Sequence, residues 1–276
     1  LKIKAEKQKY IIDTVVLDAG HGGKDPGACV QSCTIKEKNI TLSIVKKIGY
    51  KLENEGINVV YTRDDDRFVT LNNRTKIANT AEGKLFISIH VNSASKSSQT
   101  YGYETYLLRP GKSNQAIEVV ERENSVIELE QTGHEYTDLT SENYIIASMA
   151  QNSFIKESEA LAALIQHHMR DKLHGITKDR GVKQAGFHVL VGATMPNVLI
   201  EVGFLTNAVE HAMLKKKYGQ LQTSGAIFRA FLEYKREMEG ATPWEIASEE
   251  KKVFKESIIL EFEPLNIPPA FIYRCK

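Results

Sequence analysis

The sequence predicts an α/β fold, a single domain whose twisted, mostly parallel sheet is flanked by helices. Two observations carry this expectation. Short apolar runs alternate with longer amphipathic stretches along most of the 276 residues, the order that builds a parallel sheet. No self-similar period of about 20–50 residues appears, which argues against a solenoid.

The first strand is Thr14-Val15-Val16-Leu17-Asp18. The loop after it, Gly20 to Gly27, holds four of the chain's 18 glycines, so the backbone there turns tightly or approaches something closely. Ile40, Ile44, Ile48 and Leu52 then recur every four residues on one helix face. Glu55-Gly56 ends that helix, and Ile57 to Thr62 reads as the next strand. A polar turn at Asp64 to Asp66 leads to a helix near Asn72–Asn79 and to the strand Leu85–Ile89. Tyr103–Leu108 is another strand, stopped by Pro110-Gly111. A long helical stretch is expected over 144–173. Asn197 to Ile200 is a short strand of the buried type, and a last helix over about Ser224–Glu239 carries Ile227, Phe231 and Tyr234 on one side. These elements define a domain over 10–239. The extension 240–276 holds four of the seven prolines and ends in an extended-looking run from Asn266 to Tyr273.

Composition narrows the function. With 36 Lys and Arg against 35 Asp and Glu, the net charge of +1 speaks against a strongly basic nucleic-acid binder and against an acidic disordered chain. The balance conceals a segregation. Residues 113–143 carry eight acids and one base, Arg122, a net −7. Three cysteines are too few for a disulfide scaffold, although Cys29 and Cys33 are close enough in sequence to pair locally. No run approaches the roughly 18 apolar residues of a membrane span. The N-terminus is charged, has no signal-peptide core and begins without methionine, so it reads as a mature or trimmed chain.

Three strands run out into ionisable residues: Val15 to Leu17 leads through Asp18-Ala19-Gly20 to His21, Leu85–Ile89 ends in His90, and Val198 to Ile200 ends in Glu201. Open α/β sheets bind ligands beyond the carboxyl ends of their strands. If the three strands are parallel neighbours, these side chains share one edge. Two histidines there point to a metal, zinc in the first instance, which in hydrolases takes three protein ligands and keeps a fourth position open. Glu37 is the nearest candidate for the third ligand. Thr34-x-x-Glu37 equally has the spacing of a capping box, and spacing alone leaves the two alternatives even. A nucleotide-binding loop is a weak competitor, because Asp25 stands where the third glycine of that fingerprint belongs and no Gly-Lys-Ser/Thr follows.

Leu17-Asp18-Ala19-Gly20-His21-Gly22-Gly23-Lys24-Asp25-Pro26-Gly27-Ala28 resembles the opening motif of zinc-dependent N-acetylmuramoyl-L-alanine amidases of the type 3 class. The likeness continues, in family order, through Lys36-Glu37-Lys38-Asn39, Tyr61-Thr62-Arg63-Asp64, Leu71-Asn72-Asn73-Arg74, Phe86 to Ser93, Gly102 to Tyr106 and Val198 to Asn207. It spans about Thr14 to Lys235. The resemblance implies that His21, Glu37 and His90 bind one Zn²⁺, which decides for the ligand over the cap. It also implies that Glu201 is the catalytic glutamate, taking a proton from the attacking water and later passing one to the leaving amine. The implied substrate is peptidoglycan, cut at the amide joining the lactyl group of N-acetylmuramic acid to L-alanine of the stem peptide.

Members of that family associated with cell division carry an extra segment at the position of 113–143, where a glutamate blocks the zinc until an activator protein draws it away. Arg122-Glu123-Asn124 and the stretch containing Ala150 to Ser153 are similar to that region. The resemblance implies autoinhibition by Glu123 first and Glu128 second, an activator partner, and a periplasmic or cell-envelope location. Lys183 and Gln184 are expected to line or support the cleft, or else to form a plain turn. Two other readings stay open at this point: a peptidoglycan-binding or regulatory protein of the same fold without turnover, and a zinc peptidase cutting within the stem peptide. Glu201 favours catalysis, because binding alone does not require a base there.

Overall fold

The computed structural model describes residues 11–94, 97–109, 113–130 and 152–240. Eight strands and six α-helices occur among them: β1 Thr14–Ala19, β2 Cys29–Val30, β3 Ile35–Lys36, α1 Glu37–Asn54, β4 Asn58–Tyr61, α2 Leu71–Thr80, β5 Leu85–Asn92, β6 Tyr103–Leu108, α3 Asn114–Asn124, α4 Ile155–Lys172, β7 Asp179–Ala185, β8 Asn197–Phe204, α5 Ala208–Leu214 and α6 Lys217–Met238. Six strands form the main sheet in the order β4-β1-β5-β8-β6-β7, and β2 pairs with β3 in a small hairpin. The pairs β1–β4, β1–β5, β5–β8 and β6–β7 are parallel, whereas β6 runs antiparallel to β8. This is the expected α/β domain with a mostly parallel sheet.

Side-chain alternation along the strands divides the interior into two layers. Val15, Leu17, Leu85, Ile87, Val198 and Ile200 face one side, where they meet α1, α4 and α6 through residues such as Ile44, Ile165 and Phe231. Val16, Phe86, Leu199 and Tyr106 face the other, against Ala78 of α2 and Ala116 and Val119 of α3. Near the carboxyl ends of the strands this second face turns polar. Asp18 lies opposite Ser88, and His90, Glu201 and Glu104 form a row across β5, β8 and β6.

Several elements depart from the sequence expectation. α1 starts at Glu37 with Lys36 at its N-cap and no side-chain cap bond. The capping box is therefore not formed. β3 carries the chain in extended form as far as Lys36, which places Glu37 at the first helical position rather than the third. α6 begins at Lys217, earlier than Ser224, because polar residues and Gly219 obscure the periodicity of its first turns. β7 escapes sequence reading because its Asp-Arg-Gly-Val-Lys-Gln-Ala stretch has no apolar alternation. Of the helical stretch 144–173, Ile155–Lys172 is α-helix after a 3₁₀ turn at Asn152–Phe154; 144–151 lies outside the described residues, as do 131–143 of the acidic segment and 241–276 of the extension.

A buried ion pair ties the site edge together. Asp18 Oδ1 accepts from Arg74 Nη1 at 2.7 Å and from the Thr62 hydroxyl at 2.6 Å, and Oδ2 accepts from the Ser88 hydroxyl at 2.6 Å. Burial works against the Asp18 charge, but Arg74 and the two hydroxyls hold its carboxyl below the ordinary 3.8. Its folded pKa is thus depressed, so its contribution to stability is present above about pH 4 and is lost as pH falls below that. Asp18→Asn should destabilise the fold at pH 7 by about 3–5 kcal/mol, the cost of leaving a buried charge without its partner. Urea denaturation of the two proteins should show that gap narrowing on acidification below pH 4.

Candidate metal centre

The strand order brings His21, His90 and Glu201 to one edge, since β1, β5 and β8 are parallel neighbours. α1 runs back from that edge, and its first residue, Glu37, projects into it. A carboxylate at a helix N-terminus is also favoured by the helix dipole. His21 Nε2, His90 Nδ1 and one oxygen each of Glu37 and Glu123 lie within 4.8 Å of one another, and all four residues are buried.

Each of the four is aimed by its surroundings. His21 Nδ1 bonds the Asp25 carboxylate at 2.7 Å, which puts the ring proton on Nδ1 and leaves the Nε2 lone pair facing the centre. Glu37 accepts from the Ala28 amide at 2.8 Å through Oε2 and from the Val91 amide at 2.7 Å through Oε1. Glu37 Oε1 stands 3.1 Å from His21 Nε2 and 3.3 Å from His90 Nδ1. Glu123 Oε2 completes the group at 3.1 and 2.9 Å from the same two nitrogens.

The glycine-dense loop now has a physical reason. A Cβ on Gly20 would come within 2.5 Å of the His90 ring, and one on Gly27, whose φ is +64°, within 2.5 Å of His21 and 2.7 Å of Glu37. Both glycines let the backbone close onto these side chains. Arg63 fixes the same loop, donating to the carbonyls of Ala19 and Gly20 at 2.8 Å each. Arg74 adds bonds to the carbonyls of Ala19 and His21.

Electrostatics fit a cation. Burial disfavours charge on both imidazoles, yet Glu37 and Glu123 push His21 well above its ordinary pKa, and Glu123 pushes His90 up to about 9. Glu123 is driven well below the carboxylate range, against burial, by His90, His21 and Arg122. A pocket that presses its histidines to hold protons is a pocket short of positive charge. His21 Nε2, His90 Nδ1 and Glu123 Oε2 are also buried with no directional hydrogen bond, as expected of atoms that converge on a common centre. The residues fit a divalent metal.

Glu201 is fully buried, and neither of its oxygens has a hydrogen-bond partner among the described residues. Burial, then the Glu123 charge, raises its carboxyl well above the usual range. Its neighbour in register, Glu104, is the reverse case. Lys183 Nζ at 2.7 Å, Arg180 and the Tyr106 hydroxyl hold Glu104 low against burial. Two adjacent carboxyls thus sit in opposite environments, one favouring the neutral form and one the charged form.

The remaining candidates are placed as follows. Glu128 sits exposed in the 3₁₀ turn Ser125–Leu129 and does not join the group. Lys183 and Gln184 lie within β7, opposite Tyr106 and Leu107, rather than in a turn. Sequence reasoning missed Asp25, Arg63, Arg74, Glu104 and the role of Arg122. Asp25 carried a signal, because a carboxylate four residues after a ligand histidine in a tight loop can orient it.

A family model described as Amidase_3, N-acetylmuramoyl-L-alanine amidase, matches residues 15–233. The chain belongs to this family. N-acetylmuramoyl-L-alanine amidase AmiA of Escherichia coli is 33% identical over 225 residues, covering 80% of this chain and 75% of AmiA. Uncharacterized protein YqiI of Bacillus subtilis is 33% identical over 221 residues, covering 80% and 84%. Among solved structures, AmiC2 of Nostoc punctiforme superposes with a TM-score of 0.58 at 29% identity, covering 80% of this chain and 96% of that one. The amidase is thus an enzyme that hydrolyses the bond between N-acetylmuramic acid and L-alanine in peptidoglycan. That decides against a binding protein without turnover and against a stem-peptide peptidase.

Asp25→Ala leaves His21 free to rotate and removes the acceptor that fixes its tautomer. Metal affinity should fall roughly 10–100-fold, measured by competition with a chromophoric chelator. Gly27→Ala should lower metal content as well, since the added methyl group meets two ligands at once.

Proposed function

We propose that this amidase is a zinc enzyme held closed by Glu123, and that it acts in the cell envelope to split wall between daughter cells. The observation that carries the reading is the fourth carboxylate. His21, Glu37 and His90 make the two-imidazole, one-carboxylate set of a hydrolytic zinc site, and Glu123 stands where such a site keeps its open position. It is delivered by α3, from the acidic segment that sequence singles out.

Zinc in this set supplies Lewis acidity to the scissile carbonyl and to the attacking water. Glu201, buried and without a hydrogen bond, takes the proton from that water and returns one to the nitrogen of the leaving L-alanine. Asp25 and the amides of Ala28 and Val91 keep His21 and Glu37 in place throughout, and Lys183 supports the cleft wall through Glu104, with Gln184 beside it on β7.

With α3 in place Glu123 would occupy one of the sites these residues could offer a metal, so turnover would require withdrawal of the helix. An activator partner would supply that step. The CwlD amidase of Clostridioides difficile, 25% identical with a TM-score of 0.60, was solved in complex with the GerS lipoprotein, which supports regulation of this fold by a second protein. The substrate fits a periplasmic or cell-envelope location.

Glu201→Gln should retain zinc at one ion per chain while turnover falls by about 10²–10⁴-fold. Elemental analysis reads the first, and release of stem peptide with a free L-alanine amino terminus reads the second. Turnover at the wild-type rate would remove Glu201 from the mechanism. Glu123→Gln should raise basal activity on purified peptidoglycan in the absence of any partner. A folded variant with unchanged or lower activity would refute autoinhibition by this residue.

A further inference from the structure

Arg122, one residue before the plug, is the only cation within salt-bridge distance of the catalytic carboxylate among the described residues. Its guanidinium lies 3.6 Å from Glu201 Oε1 and 3.0 Å from Glu123 Oε1, and Nε donates to the same Glu123 oxygen at 3.1 Å. The rest of the fork reaches the sheet. Nη1 donates to the Ser93 carbonyl at 2.7 Å and Nη2 to Asn92 Oδ1 at 3.0 Å. Asn92 and Ser93 close the strand that carries His90. One side chain therefore touches the plug, the strand of a metal ligand and the carboxylate that acts as base.

The other fastenings of α3 are polar as well. Arg180 Nη2 donates to Gln115 at 3.2 Å near the start of the helix, and at its end Asn124 bonds the Gly186 carbonyl and the His188 amide at 3.1 Å each. Apolar contact from the helix itself comes from buried Ala116 and Val119 and half-buried Val120. An element held by few apolar groups opens at modest cost, so its charge-assisted bonds, individually the stronger kind, set its closed population.

We propose that Arg122 is a latch that couples the plug to the base: closing α3 places Glu123 in the metal group and the Arg122 charge against Glu201 in the same movement. Withdrawal of the helix removes both together, so the metal's open position and an unpaired Glu201 appear at once. Arg122 is a positioning residue of the closed state and takes no part in the open one. This inference rests on the reading of Glu123 as the plug.

The test is hydrogen exchange of the amides of α3, Asn114–Asn124, in the full chain, read beside basal amidase activity. Arg122→Ala should speed α3 exchange about tenfold or more, as expected for lost hydrogen bonds to a charged group, and raise basal turnover in parallel. Arg122→Lys keeps the charge without the fork and should fall between. Glu201→Gln, on β8 and outside the helix, should also speed α3 exchange, which a purely local structural role of Arg122 does not predict. Unchanged α3 exchange in Arg122→Ala overturns the latch even if Glu123→Gln activates the enzyme. Faster exchange in Arg122→Ala but not in Glu201→Gln overturns the coupling to the base. If Glu123→Gln fails to activate while both exchange effects appear, the plug reading falls and takes the latch with it, leaving only an Arg122–Glu201 contact that steadies α3.

Discussion

The edge of the sheet that carries the chemistry depends on one buried carboxylate, Asp18, and on the guanidinium that neutralises it. Neither charge is tolerable alone in that interior, so the pair fixes where α2 sits relative to β1. Arg74 then uses its remaining donors on the carbonyls of Ala19, His21 and Val69. The same interaction that satisfies the core thus shapes the turn from which His21 emerges with φ at +63°, a conformation that non-glycine residues adopt only when their surroundings impose it. Thr62 and Ser88 complete the network from β4's end and β5, so three strands are registered by one side chain.

Beyond that edge the molecule crowds carboxylates instead of separating them. Glu37, Glu123 and Glu201 are all buried within reach of two imidazoles and one guanidinium. Glu37 and Glu123 favour charge on the imidazoles. A divalent ion at the centre would meet the same demand and let the imidazoles serve as neutral ligands. Metal binding would then be linked to proton release, while Glu201 has no hydrogen-bond partner among the described residues.

The strands that place the ligands were legible in sequence because each is a run of apolar residues buried on both faces and ending in an ionisable side chain. β1, β5 and β8 all have this form, and register then brings His90 opposite Glu201. The loop glycines were legible as a demand for close approach, though not as an approach to particular ring atoms. Glu37 shows the limit. Its spacing from Thr34 fits a cap, and only the extended conformation of β3 decides that the helix begins at the glutamate. β7 was hidden for a different reason: an edge strand paired on one side needs no apolar alternation, so its polar residues leave no period to read. Arg122 was visible as the single base among eight acids and as part of Arg122-Glu123-Asn124, but not its contacts, because what it touches depends on the tertiary placement of α3.

The acidic segment gains its meaning from that placement. A net charge of −7 over 113–143 would be an ordinary solvated face if the helix lay on the surface, and most of its described acids are indeed exposed. Glu123 and Glu130 are the buried ones. Glu130 accepts from the Leu71 amide at the start of α2, and Glu123 enters the metal group, so the chain from one to the other is pinned at both ends by carboxylates. A hydrophobic plug would have to expose apolar area to open, and its closed state would strengthen with the area buried. If Glu123 is the plug proposed above, its carboxylate and the Arg122 guanidinium would exchange their bonds for water on leaving. Such a closed state would be fixed in geometry by directional, charge-assisted bonds rather than by buried apolar area.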